Sequence, residues 1–214
     1  MHTNRQQCIE ARSTQTLDEV YRLRYAFYRR DDAIDPNPSE RFSDAFDETP
    51  NHFNFLFGSE TAALATVRLS VVRPDLDWTE SPARHGYSDC KKFQSIAKAS
   101  YVEISRLCFA AEAHTETFID LLGNMAALAE FYSVRRLVVC PRVEQVNLYE
   151  RLFGFAPVAE PRTEFGLRLK TQLLAVSLGQ LRTHLKHDRP IFPSWASALS
   201  ATASQLPLEA LLAA

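Results

Sequence analysis

The 214-residue chain carries 24 Lys and Arg against 26 Asp and Glu, a formal net charge of −2, and 46% of its residues are hydrophobic. That length and apolar content suit one domain spanning 1–214 with its own core, and the near balance of charge excludes a whole-protein field that would gather nucleic acid or an anionic membrane. Cys8, Cys90, Cys108 and Cys140 lack the spacing of a zinc site, the start lacks the apolar run of a secretory signal, and no window approaches the ~20 apolar residues of a membrane span, so a cytoplasmic protein with reduced thiols and no bound metal or cofactor is expected.

Thr16 and Glu19 make a capping box, and Leu17, Val20, Tyr21, Tyr25 and Tyr28 follow at helical spacing, which predicts a helix over about 16–30. Arg24 sits inside that apolar stripe and interrupts it. The segment Asp31 to Asn51, rich in Asp and Pro, predicts an acidic loop. Phe53, Phe55 and Phe57 alternate, Gly58-Ser59 can turn the chain, and Ala63 to Val71 resumes an apolar run, together a β-hairpin. Residues 73–99 read as an insertion or irregular crossover with a short helix.

Tyr101 to Phe109 predicts a strand in spite of Glu103, Ser105 and Arg106. Phe118 to Tyr132 keeps a helical period, Arg136 to Cys140 forms a short buried strand ended by Pro141, and Val146 to Phe153 gives a helix stopped by Gly154. Leu167 to Leu178 supplies a last strand, followed by a short helix near Leu181 and a C-terminal helical tail over 179–214. The order predicts an α/β domain with a mixed sheet and helices on both faces, with its core over about 17–178.

Strict alternation along 101–109 places Glu103 on one face with Tyr101, Ser105 and Leu107, and Arg106 on the other. In a partly desolvated cleft the Glu103 pKa would rise, suiting it to take a proton from an ammonium nucleophile; the alternative is an ion pair with a neighbouring Arg. Asp44 and Asp47 either attract an amino group or pair with Arg24, Arg68 or Arg106 to pin the loop, unless they are merely solvated. Arg68 lies on the polar parity of its strand with Thr66 and Ser70, and snorkelling to solvent is its alternative. Tyr149 reads as a core tyrosine or as a proton donor to a leaving thiolate. A Cys-His hydrolase built on Cys108 is a weak rival, with only His114 nearby in sequence.

Arg24-Tyr-Ala-Phe-Tyr28, Asp44-Ala-Phe-Asp47, Val67-Arg68-Leu69 and Glu103-Ile-Ser-Arg106, in that order, resemble the N-terminal half of acyl-homoserine-lactone autoinducer synthases. Asn147-Leu-Tyr-Glu-Arg-Leu-Phe-Gly-Phe155 is similar to the closing helix and turn of GNAT acyltransferases and of long-chain N-acyl amino acid synthases. The resemblance covers about residues 17–178 and implies a GNAT-like, mostly antiparallel sheet. A splayed strand pair, at about 101–109 and 136–140, would admit a pantetheine arm.

It also implies an acyl chain carried on the phosphopantetheine of acyl carrier protein, or on CoA, and attacked directly by the amine of an amino acid or of S-adenosylmethionine. Glu103 matches the proton-removing carboxylate. Arg24, Tyr28, Asp44, Asp47, Arg68, Ser105 and Arg106 match the set that shapes the amine site, and the backbone N–H near Leu107 or Cys108 would polarise the thioester carbonyl.

Two departures matter. Ala110 to Thr117 contains no glycine for a CoA pyrophosphate loop, which favours an acidic carrier protein docked on Arg84, Lys91, Lys92 and Lys98. Arg29 to Ile34 lacks the tryptophan usual in lactone synthases. The expectation is therefore an acyltransferase that moves a medium- or long-chain acyl group from acyl carrier protein to an amino acid. A lactone synthase using S-adenosylmethionine and a non-catalytic acyl-binding scaffold are the alternatives.

Overall fold

A computed structural model describes residues 7–59, 61–113, 125, 129, 131–163 and 166–188. Seven strands form one sheet in the order β1 (Gln7–Glu10), β2 (His52–Ser59), β3 (Ala62–Val72), β4 (Tyr101–Phe109), β5 (Arg136–Val139), β9 (Leu174–Ser177) and β6 (Ala156–Pro157). A separate pair joins β7 (Arg162–Thr163) to β8 (Lys170–Thr171). Neighbours in the large sheet run antiparallel except β4 and β5. The expected β-hairpin is β2–β3, whose strand run passes through Gly58 and Ser59 instead of turning there.

Alternation sorts the side chains of β3 into two environments. Val67, Leu69 and Val71 join Val102, Ile104, Leu137 and Val139 in the larger core, beneath the helices α4 (Val146–Phe153) and α5 (Leu178–Asp188). The other face carries Thr66, Arg68 and Ser70 and is covered by α1 (Thr14–Arg30), while α2 (Pro82–Gly86) and α3 (Lys91–Ala97) pack over Val72, Tyr101 and Val138. The segment 73–99 thus holds two short helices. Burying each Val or Leu of these cores stabilises the fold by roughly 1.5–3 kcal/mol.

Helix α1 begins earlier than expected. Ser13 caps it, its hydroxyl accepting the Thr16 N–H at 3.2 Å, and the Thr16 hydroxyl bonds back to the Ser13 carbonyl instead of serving as the cap. Thr16, Val20, Arg24 and Tyr28 form the buried stripe, one residue per turn. Strand β1 was hidden by its polar residues. The run Leu167 to Leu178 is divided between β8 and β9, in different sheets. The helix expected over Phe118–Tyr132 lies largely outside the described residues, as do His114 and the tail beyond 188, although Met125 and Ala129 contribute to the larger core.

An irregularity in β4 positions the site. Thr66 pairs with Cys108 and Arg68 with Ser105, so Val67 faces both Arg106 and Leu107, and Arg106 takes a left-handed φ of 53°. This bulge inverts parity beyond it. Arg106 turns to the face of Glu103 and Ser105, whereas Leu107 packs on the larger core, the reverse of the strict alternation expected for both. On its other side β4 pairs with β5 only from Val102 to Ile104; beyond Ile104 the two parallel strands part.

A second bulge sits at Gly58, with φ 135°. A Cβ there would lie 2.4 Å from the Ala62 carbonyl oxygen. Gly58→Ala is expected to lower stability by roughly 1–3 kcal/mol, read as a shifted midpoint in urea unfolding with an unchanged slope.

Candidate active site

Arg24 is fully buried because its stripe on α1 faces the sheet. Its guanidinium donates to Asp47 Oδ1 at 2.9 Å and to Asn54 Oδ1 at 2.5 Å. Arg68, from β3, lies 3.1 Å from the same Asp47 oxygen, donates to Asp44 Oδ1 at 2.5 Å, and reaches Ser105 Oγ at 3.2 Å. Arg106 closes the series by donating to Asp44 Oδ2 at 2.6 Å, with its guanidinium 4.7 Å from the Phe42 ring centre.

The acids come from a 3₁₀ turn, Ala45–Glu48, whose cap is Asp44 and whose Asp47 bonds back to the Asp44 N–H. Burial alone would raise both carboxyl pKa values, but the flanking guanidinium groups outweigh it and hold them below the usual carboxylate range. Asp44 and Asp47 are therefore paired, not solvated, and Arg68, 1% exposed, does not snorkel.

Glu103 stands one rung along β4, paired in register with Ser70, and is 1% exposed. Among the described residues it makes no ion pair. Its Oε2 accepts the Ala83 N–H at 2.9 Å, from the first turn of α2, where Ser81 is the cap and Pro82 the first residue. Ser81 also bonds Tyr101 Oη at 2.8 Å. Burial pushes the Glu103 carboxyl up to about 7, against the Ala83 N–H, Ser81 and the fields of Arg68 and Arg106, all of which pull it down.

Where β4 and β5 part there is a cavity of about 370 Å³, within the range of small-molecule pockets. Its apolar wall includes Phe27, Ile104, Leu107, Val139, Leu148 and Leu169. A smaller cavity of about 40 Å³ shares Tyr28, Ser105, Arg106 and Thr171 with it and adds Glu103 and Arg68. Tyr149 lines the large cavity, edge-on to Phe155 at 5.7 Å, and burial pushes its phenol up to about 12.

Arg24, Asp44 and Asp47 line neither cavity and stand behind the residues that do. Cys108 also lies away from both, packed with Tyr28, Ala33 and Ile34, and burial pushes its thiol up to about 12. No thiolate nucleophile exists there at neutral pH. Arg84, Lys91, Lys92 and Lys98 are exposed on α2, on α3 and at the end of α3, and line neither cavity. Asn54, Ala83 and Thr171 were not anticipated; only the Ser81-Pro82 helix start had a readable signal.

A family model described as the N-acyl amino acid synthase FeeM matches residues 19–177. The chain belongs to this family. It is an N-acyltransferase. No curated protein sequence matches it. Among solved structures, FeeM, an N-acyl amino acid synthase from uncultured soil microbes, superposes with a TM-score of 0.68 at 13% identity, over 84% of this chain and 94% of that one. The acyl-homoserine-lactone synthase LasI gives a TM-score of 0.64 at 13% identity, over 84% and 95%. BjaI, a CoA-dependent acyl-homoserine lactone synthase solved with SAM and isopentyl-CoA, gives 0.51 at 16%, over 90% and 97%. These likenesses bear out the GNAT-like mixed sheet with helices on both faces. No helix among the described residues is long and apolar enough to cross a membrane.

Removing one partner from a buried pair strands the other charge, so Asp47→Ala is expected to cost about 3–5 kcal/mol, well beyond the effect of an exposed pair, in chemical denaturation. Glu103 gives a pH signature. Its folded pKa, about 7, exceeds the unfolded value of roughly 4.3. Between these values the folded state holds the extra proton, so its stability falls as pH rises, on the order of 2–4 kcal/mol in total, and levels off above about 7. Glu103→Gln lacks this loss, and its Tm relative to the parent should climb between pH 5 and pH 8.

Proposed function

We propose that this enzyme transfers a medium- or long-chain acyl group from the phosphopantetheine of acyl carrier protein to the amino group of an amino acid, by direct attack of the amine on the thioester. The observation that carries this reading is a buried carboxylate, Glu103, on a small cavity that shares Ser105 and Thr171 with a larger, apolar-walled one between parting strands. A pure binder of acyl chains has no use for such a carboxylate, which costs free energy to desolvate.

In the proposed reaction the acyl thioester lies between β4 and β5 and the amine enters beside Glu103. Glu103 takes one proton from the ammonium, the nitrogen lone pair attacks the carbonyl carbon, and the C–S bond breaks as the amide forms. The second proton lost by nitrogen ends on the released thiol. A base poised near neutrality suits this step.

The Leu107 N–H is the better candidate to meet the oxyanion. Ala110 N–H donates to Leu64 O, ladder donors alternate, and Cys108 therefore turns its N–H to β3 while Leu107 turns its own away, on the wall of the large cavity. Tyr149 is too weak an acid to protonate a thiolate whose own pKa is roughly 8.5, so its role is to donate a hydrogen bond to the leaving sulfur. Arg84, Lys91, Lys92 and Lys98 offer an exposed basic surface for an acidic carrier. The lack of glycine over Ala110–Thr117 argues against a tight CoA pyrophosphate site.

Mass spectrometry of lipid extracts from a bacterial host is the test. N-acyl amino acids should appear with the parent chain and be absent with Glu103→Gln; an acyl-homoserine lactone in their place would assign the lactone synthase reading. With purified enzyme, kcat/KM should fall below pH 7 as Glu103 protonates, and Glu103→Gln should lose roughly 10²–10⁴-fold. Full turnover by that variant would remove Glu103 as the base.

A further inference from the structure

The acceptor end of the site holds a hydroxyl that the fold leaves without a partner. Thr171, on β8, is 2% exposed, and its buried Oγ1 makes no hydrogen bond. The residue lines both cavities, including the small one bounded by Glu103. Its backbone is tied elsewhere: Tyr87 Oη donates to the Thr171 carbonyl at 3.4 Å, and the strand pairs with Arg162 and bridges to Arg142. Buried hydroxyls are nearly always satisfied, and a valine would fill the same volume without the cost of desolvating one. An unpaired hydroxyl on a cavity wall points to a ligand.

The small cavity has room for about one water-sized group. Four oxygen-bearing side chains line it, and since the Tyr28 hydroxyl is already held by Arg106, those of Glu103, Thr171 and Ser105 are left to a ligand. Ser105 Oγ accepts from Arg68 Nε at 3.2 Å and keeps a second lone pair. A primary ammonium has three N–H donors and no acceptor.

We propose that Thr171, Ser105 and Glu103 form a three-acceptor pocket for the primary ammonium of the acceptor, with Thr171 as a positioning residue that selects primary over secondary amines. The assignment rests on the acyl transfer proposed above. Bound in this way, the ammonium hands one proton to Glu103 while Thr171 and Ser105 hold the other two hydrogens and fix the direction of the lone pair.

The test uses the purified full chain, palmitoyl-acyl carrier protein as donor, the proteinogenic amino acids as acceptors, and the N-methyl form of the best acceptor. Thr171→Val should raise the acceptor KM roughly tenfold to a hundredfold, the effect of one hydrogen bond to a charged group, with the donor KM unchanged. Its Tm should equal or exceed that of the parent. Thr171→Ser should restore the parent acceptor KM, and the N-methyl amine should be rejected by roughly a hundredfold or more in kcat/KM.

An unchanged acceptor KM in Thr171→Val, an equal rise in donor KM, a lowered Tm, or ready use of the N-methyl amine would each overturn the pocket while leaving the proposed reaction standing. Failure of the parent chain to acylate any amino acid would overturn both.

Discussion

Three guanidinium groups and two carboxylates alternate as Arg24–Asp47–Arg68–Asp44–Arg106 beneath α1, and the arrangement of the site depends on them. The four links tie the loop to three parts of the chain: Asp47 to α1, both aspartates to β3, and Asp44 to β4. Such groups are costly to bury, several kcal/mol per ion, so their worth is in holding a geometry more than in net stability. Alternation makes the burial tolerable, because each aspartate lies between two arginines and no like charges are adjacent in the series. One positive charge is left over. Ionised Glu103, a rung away, offsets it, and the fields of Arg68 and Arg106 accordingly oppose the effect of burial on its carboxyl.

The bulge in β4 lets one strand supply groups of opposite character. Without the extra residue Arg106 would face the apolar core and could not reach Asp44; with it, Arg106 completes the charge series and Leu107 becomes cavity wall. The partner strand ends at Val139, just before Pro141, whose missing N–H cannot extend the ladder. The two parallel strands consequently diverge at the point where the polar rung of Glu103 and Ser105 gives way to apolar wall. The carboxylate and the apolar wall thus lie side by side.

Much of this was legible in the sequence because some of the charged residues violate local pattern. Arg24 in an apolar stripe and Glu103 inside a strand are conspicuous, Arg68 fits the polar parity of its strand, and the order of the motifs that hold them carried the family resemblance. What could not be read were facts set by distant chain. The bulge is invisible to a period-two reading, so Arg106 and Leu107 were assigned to the wrong faces. The Ala83 N–H that meets Glu103 comes from an insertion whose fold has no periodic signal, and Thr171 gains meaning only where β8 closes over the cavities. Strand β1 has one strongly apolar residue, Ile9, in a polar run, and is a strand because β2 offers it an edge. At the N-terminus of α1, Ser13 and Thr16 compete as caps, and the hydrophobic face decides which wins.

Under the proposed reaction, the position of Glu103 is a compromise between chemistry and folding. A solvent-exposed glutamate, near 4.3, would accept a proton from an amine only against a large mismatch in basicity, and each pKa unit of mismatch costs about 1.4 kcal/mol. Raising the carboxyl to about 7 removes roughly 3–4 kcal/mol of that uphill step in the proposed reaction. The same free energy appears as a penalty on the folded state once the carboxylate is ionised, since it comes from desolvation and not from a new favourable contact. Complete burial without donors would push the pKa higher still and leave the base protonated at working pH. The Ala83 N–H and the two nearby guanidinium groups limit the shift, so the hydrogen bond from α2 and the excess charge beneath α1 set where the Glu103 rise stops.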